Sequence, residues 1–588
     1  MMNPKNNRYR STRRIRCITL RLALGAALSV GAAGLGSAGI WNKADNANNL
    51  GAADSWVENS GWPQVGTDVA RWNNASGAAA SAALGADLTW GALNFTAWGA
   101  DFTINAGNTL SLTNGGITMA AANDLTLSCP VTLLANQAWS VNTGRTLAAG
   151  GTVSGAFTLT KVGAGTLTLN SANTFTNLVV AGGAAVGTTD AGALGAGTLI
   201  LGGGVLQLAN APGSPLSFNR NTTVSTYSAI DSDVTAAGAG NTYTLGTLAI
   251  GAQQLTINKG ANVTSGTAGV TFGATTLSVS GTTFDVGAGA NLTLNTLTGA
   301  TLNFWKQGSG TLTFASAAST ARTTGATYLN AGTVVLGGTV GTSDALGTAG
   351  ATLLLSGGTL DLASDTSVLA HGTTLLGSAS ILSDKATAAS AGITHTLGAL
   401  TILGANTLTI DQGANVSGGT PVVAFGAATM NANTTFLINS GAQLTLSTLV
   451  NSGFTPTFSG AGNATVTGAI SGGGGLVMSG AGTLTLAANS YTGANRIESG
   501  TVTLGAATGL GPAATAVLTM TGGTLNVGSV GSTLLALTGN PGSAITSASG
   551  TPTLTVNPVA NSTSSFAGNI GGGGGTLAVT VNGATGGA

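Results

Sequence analysis

The sequence predicts an all-β solenoid, a long stack of short strands with a neutral outer surface. Three observations predict it. The first is composition. Charged residues make up 6% of 588, against about 25% in an ordinary soluble domain, and glycine supplies 95 positions, roughly twice its usual share. A hydrophobic content of 43% with zero net charge excludes ordinary disorder. Only 11 prolines, and no glycine at every third position, exclude collagen. The second observation is a recurring phrase, Gly-Thr-apolar-x-apolar, whose period of two describes a strand. The third is its spacing, 18 to 26 residues in runs such as Gly310, Gly332, Gly358 and Gly482, Gly500, Gly523, which is one coil of a solenoid.

Taken in order, the chain opens on a basic stretch. Lys5, Arg8, Arg10, Arg13, Arg14, Arg16 and Arg21 precede the first acid, Asp45. An apolar run, Leu20 to Leu35, follows at once, and then Gly36, Ser37 and Ala38. Basic, apolar and small-residue segments in that order describe a secretory signal peptide over 1–38, cleaved after about Ala38. A membrane anchor needs about 20 strongly apolar residues, and this run is short and rich in Gly and Ala. No later stretch is long enough to span, so the mature chain is expected to carry no membrane span. The basic stretch belongs to the signal, and no nucleic-acid partner is expected. Cys17 falls in the signal, which leaves Cys129 alone, read as a small buried hydrophobe.

Residues 39–100 hold Trp41, Trp56, Trp62, Trp72, Trp90 and Trp98, six of the eight tryptophans. The first rung of a solenoid lacks a neighbour on one side and needs a cap, and indole rings make large contacts. The segment is therefore read as a Trp/Asp-rich N-terminal cap. The alternative is a carbohydrate-binding platform, with Trp41, Trp56, Trp62 and Trp72 as candidate glycan contacts.

Residues 101–588 carry the strand phrase, beginning at Gly165, Gly197, Gly310, Gly332, Gly358, Gly482, Gly500, Gly523 and Gly575. A longer repeat overlies it. TLGTLAIGAQQLTINKGANVTSG from Thr244 returns as TLGALTILGANTLTIDQGANVSGG from Thr396, an offset of about 152 residues and so about seven coils per long unit. The phrases KVGAGTLTL, KQGSGTLTF and MSGAGTLTL, from Lys161, Lys306 and Met478, mark successive units.

GAGTLTLNSANTFTNLVVAGG from Gly163 and GAGTLTLAANSYTGANRIESGTVTL from Gly480 resemble the autotransporter-associated β-strand repeat, or passenger-associated transport repeat, of exported Gram-negative proteins. The resemblance covers about 160–540. It implies a right-handed parallel β-helix carried to the cell surface by a C-terminal barrel or another sorting signal. Residues 540–588 show no barrel strands, and the repeat is incomplete where the sequence ends, which reads as a truncated product or a chain without its own export pore.

Catalysis on such a scaffold needs clustered carboxylates with a base. The nearest pairs are Asp231/Asp233 and Asp361/Asp365. Leu382 and Asp384 match Asp231 and Asp233 in the later unit, so one carboxylate is lost, and these positions are expected at solvated edges or corners. His371 and His395 lie one coil apart, but His395 aligns with Tyr243, which fits a packed ring rather than a zinc ligand. No nucleophile elbow, phosphate loop or calcium nonapeptide occurs. Outward Thr ladders suggest an ice-binding lattice, which irregular coil lengths would spoil. The expectation is a non-catalytic, cofactor-free stalk of about 25 coils, exported to the surface. Its partners would be the export machinery and surface glycans or other surface components. The alternatives are a polysaccharide-acting enzyme and a carbohydrate-binding module.

Overall fold

The computed structural model describes residues 39–583, apart from 59, 316–322, 339–343, 345, 389 and 560–563. The expected signal peptide, 1–38, lies outside the described residues. The chain forms an all-β parallel solenoid of about 22 turns, on the order of 100 Å long at ~4.8 Å per turn. Two long parallel sheets of 27 and 25 strands run its length, and the chain passes from one to the other at glycine-rich corners. The only helical piece among the described residues is the 3-10 turn Ala53–Ser55.

The alternating sequence explains the strands. In Thr483–Leu486, Leu484 and Leu486 are fully buried, while Thr483 and Thr485 are half-buried on the outer face. Parallel register stacks like on like: Ala464, Leu484, Val502 and Leu525 form one inward column, and Thr483, Thr501 and Thr524 one outward column. Inward leucines, valines and isoleucines thus fuse into a single core from Leu50 to Val556.

The count falls short of 25 because some turns are long. Asp231 is in register with Asn258, and Leu382 with Asp411. Loops leave the rod in these turns and form two small ladders of their own, Gly238–Ala239 with Val263–Ser265 and Ser390–Ala391 with Val416–Gly418.

The long repeat contains about six and a half turns rather than seven. Gln254–Lys259 lies in the second sheet, yet its duplicate Thr407–Gln412 lies in the first. Ala268–Leu277 lies in the first sheet, and its duplicate Val422–Met430 in the second. Duplicated strands therefore exchange sheets. This works because both sheets offer the same environment, an inward apolar face and an outward hydroxyl face.

The Trp-rich segment is continuous with this ladder. Ile40–Asn42 pairs in parallel with Val69–Trp72, which pairs with Leu88–Phe95. Trp56, Trp72 and Trp90 pack edge-on and tilted, with ring centroids 5.9 to 6.2 Å apart, and Trp72 and Trp98 both meet Phe102. The first turns are filled by indoles where later ones use leucine.

Candidate functional site

The candidate glycan contacts divide. Trp56 and Trp72 are buried in the core, so no glycan can touch them, and that reading is withdrawn for these two. Their neighbours are rings, and the Trp56 indole N–H is spent on the Leu50 carbonyl at 2.9 Å. Trp41 and Trp62 are half-buried, packed against the core with an exposed part. Alternation pointed to Trp72 as an inward residue, since it follows Ala70 by two in Val69–Trp72.

Of the acidic candidates, Asp365 is exposed, as expected of a solvated edge, and Asp231 and Asp361 are partly exposed, but Asp233 and the later unit's Asp384 are not solvated. Asp233 and Asp384 are both buried, and each closes one of the projecting loops. Asp233 Oδ1 accepts the N–H groups of Val234 and Asn262 at 2.8 and 3.0 Å. Asp384 Oδ1 accepts those of Lys385 and Asn415 at 2.8 and 2.9 Å. Asn262 and Asn415 return amide N–H bonds to the Val234 and Lys385 carbonyls. A Cβ at Gly260 or Gly413 would overlap the respective aspartate, which is why glycine stands at both positions. Asp365 lies at the surface, 3.5 Å from Lys385.

The two rings have different partners. His395 donates from Nε2 to the Asp384 carbonyl at 2.9 Å and accepts the Val368 N–H on Nδ1 at 3.4 Å. Tyr243 does the same work in the earlier unit, its hydroxyl donating to the Asp233 carbonyl at 2.7 Å. Burial, first of all, holds His395 below the ordinary imidazole range. His371 sits between the Ala351 carbonyl, 3.1 Å from Nδ1, and Asp344 Oδ2, 2.7 Å from Nε2. Asp344 also accepts the N–H groups of Leu346 and Leu369. His371 and Asp344 are both buried, so this pair ties neighbouring turns together away from solvent. Cys129 is fully buried, and burial pushes its thiol up to about 11. Among the described residues no group of three or more His, Cys, Asp or Glu could hold a metal ion.

Sequence reasoning missed the buried lysines. Lys161 and Lys306 are fully buried. Lys161 Nζ donates to the carbonyls of Val162, Gly163 and Gly182 at 2.9 to 3.1 Å. Lys306 does the same to Gln307, Gly308 and Ala331 at 2.7 to 3.1 Å. Burial lowers both to about 8. Their place in the strand alternation was the available signal, since Lys161 follows the inward Leu159 by two.

The outer surface carries a shallow depression of about 330 Å³ on the first sheet, lined by Thr359, Ser380, Thr407 and Thr409 among others. Such an arrangement can hydrogen-bond a neutral polar ligand. Its lining carries no titratable side chain.

The fold and these sites define a parallel β-solenoid whose buried polar groups brace its turns. The passenger-associated transport repeat model matches at residues 159–184, 306–336 and 476–504, so the chain carries that repeat at three places. No curated protein and no solved structure matches the chain. The match at 476–504 spans four strands, two from each sheet: Leu476–Met478, Thr483–Leu486, Asn495–Ile497 and Thr501–Leu504. The repeat's Asn-x-Phe/Tyr is a staple. Asn173 accepts the Val153 N–H and donates to the Ala193 carbonyl, and Asn489 joins Ile470 to Gly509 in the same way. The ring two residues on, Phe175 or Tyr491, is fully buried.

Proposed function

We propose that the chain is the passenger of an exported Gram-negative surface protein, a non-catalytic stalk that holds material away from the cell. The observation that carries this reading is the passenger-associated transport repeat, found three times in one uninterrupted rod. The Arg-rich start with its apolar run supports export. The thin scatter of acids, and their use as loop closures, support a structural role over polysaccharide cleavage. Weak, repeated contact with surface glycans suits a long surface of hydroxyl ladders, since many weak contacts add through avidity. Trp41 and Trp62 stay in this reading as glycan contacts.

Surface proteolysis and N-terminal sequencing test it. The expected result is protease-accessible protein on intact cells, beginning at about residue 39. Material retained inside the cell and still beginning at Met1 would overturn export. Release of reducing ends from a polysaccharide panel, abolished by Asp231→Ala or Asp233→Ala, would overturn the non-catalytic reading.

A further inference from the structure

The two long units close their projecting loops with the same buried aspartate but treat its second oxygen differently. In the earlier unit, Gln207 Nε2 donates to Asp233 Oδ2 at 2.8 Å. In the later unit the position of Gln207 is held by Asp361. The text GGVLQLA from Gly203 returns as GGTLDLA from Gly357, and the registers agree: Gln207 lies beside Asp231, Asp361 beside its counterpart Leu382. A carboxylate cannot donate a hydrogen bond. Asp361 Oδ1 is buried and has no hydrogen-bond partner among the described residues.

We propose that Asp361 and Asp384 form an acid-locked clasp, in which a proton on Asp361 supplies the hydrogen bond that Gln207 supplies in the earlier unit, and whose loss loosens the later unit's projecting loops. The proton comes from solvent and returns to it, so no other reactant is needed.

The surroundings favour a proton there. The preceding strand, Thr333–Leu336, faces Asp361 with no titratable group. The following strand brings Asp384. Beyond it, Asp411 is held by the Asn439 amide at 2.7 Å. Asp365 and Lys385 pair with each other at the surface, and His395 donates to the Asp384 backbone. Among the described residues no cation is therefore aimed at Asp361. Burial, and then the charge of Asp384, push its carboxyl up to about 7. A raised carboxyl contributes stability that is complete below its ordinary value and lost as pH rises through about 7. Burial lowers His395, so its own contribution has the opposite sign: it is lost as pH falls and cannot produce a loss of protection as pH rises.

Hydrogen exchange on the full chain at about pH 6 and about pH 8, corrected for intrinsic rates, tests the clasp. Protection over 384–420 should fall about tenfold, the equivalent of one pKa unit, while the matching loops of the earlier unit, 233–266, stay unchanged. Asp361→Gln should abolish the loss, and Gln207→Asp should create one in the earlier unit. If Asp361→Gln does not fold, Gln207→Asp decides alone. Equal responses in both units, a response that persists in Asp361→Gln, or no change with Gln207→Asp would each overturn the proposal.

Discussion

Lys161 and Lys306 place ammonium groups inside an apolar stack, each satisfied by three backbone carbonyls. Met478 fills the same position in the third repeat and is buried as well. A buried charge replaced by a well-packed apolar side chain is often neutral or stabilising by about 1–4 kcal/mol. Lys161→Met should therefore leave the denaturation midpoint unchanged or raise it, and a fall in midpoint would show that the three carbonyl bonds outweigh the cost of burial. The pH sign follows from the lowered pKa. The unfolded state binds more protons between about 8 and the ordinary lysine value, so stability rises with pH across that window, and the contribution should vanish in Lys161→Met. His395 acts lower on the scale. Its lowered pKa means that its stabilisation is complete above the ordinary imidazole value and is lost as pH falls below it. His395→Tyr, which installs the earlier unit's residue, should flatten the acid side of the stability curve read by thermal melts. An unchanged acid limb would assign that sensitivity elsewhere. Alignment of Tyr243 with His395 showed in sequence that the position takes a ring. It did not show the shared hydrogen bond to an aspartate carbonyl, because that bond crosses a loop of ten or eleven residues.

Strand Thr483–Leu486 and the staple beyond it carry the element-scale predictions. Leu484 is fully buried between Ala464 and Val502, so Leu484→Ala leaves a cavity and should cost about 2–4 kcal/mol in its local block. Thr485→Ala, on the outer face, should stay within about 0.5 kcal/mol. A Thr variant looser than the Leu variant in hydrogen exchange would reverse the inside–outside assignment. Asn489→Ala removes two buried bonds, to Ile470 and Gly509, and leaves a backbone donor and an acceptor unpaired. It should cost about 1–3 kcal/mol per orphaned group, with exchange rising in the turns on both sides. A change confined to residue 489 itself would refute the staple.

At the scale of the rod, contacts run between neighbouring turns, so damage should spread over a few turns and leave distant ones protected. Single-step loss of all protection in Leu484→Ala would contradict that. The sheet exchange makes a sharper prediction. Joining Gln253 directly to Thr407 removes one long unit and places a first-sheet strand where its second-sheet duplicate stood. Because the two sheets are equivalent environments, the shortened chain should fold as a rod roughly 30 Å shorter, about six and a half turns at ~4.8 Å each. Particle lengths in electron micrographs would measure it, and an aggregated product would show that the sheets are not interchangeable.

Strand identity, inward and outward faces, the repeat and its period were legible in the sequence, because all of them follow from local alternation and from glycine at corners. Leu484 inward and Thr485 outward are set by spacing of two, whatever surrounds them. The sheet to which a strand belongs is set by the summed lengths of all the corners before it. The six-and-a-half-turn repeat and the exchange of sheets therefore emerged only in three dimensions. The same holds for the tryptophans and acids. Composition suggests a cap for the tryptophans, with a glycan platform as the alternative, and solvated edges for the acids; Trp56, Trp72, Asp233 and Asp384 are all buried. An indole's fate depends on which rings stack on it, and an aspartate's on whether backbone N–H groups some thirty residues away converge on its oxygens. Residue type alone holds neither fact, and only the stacking of turns supplies them.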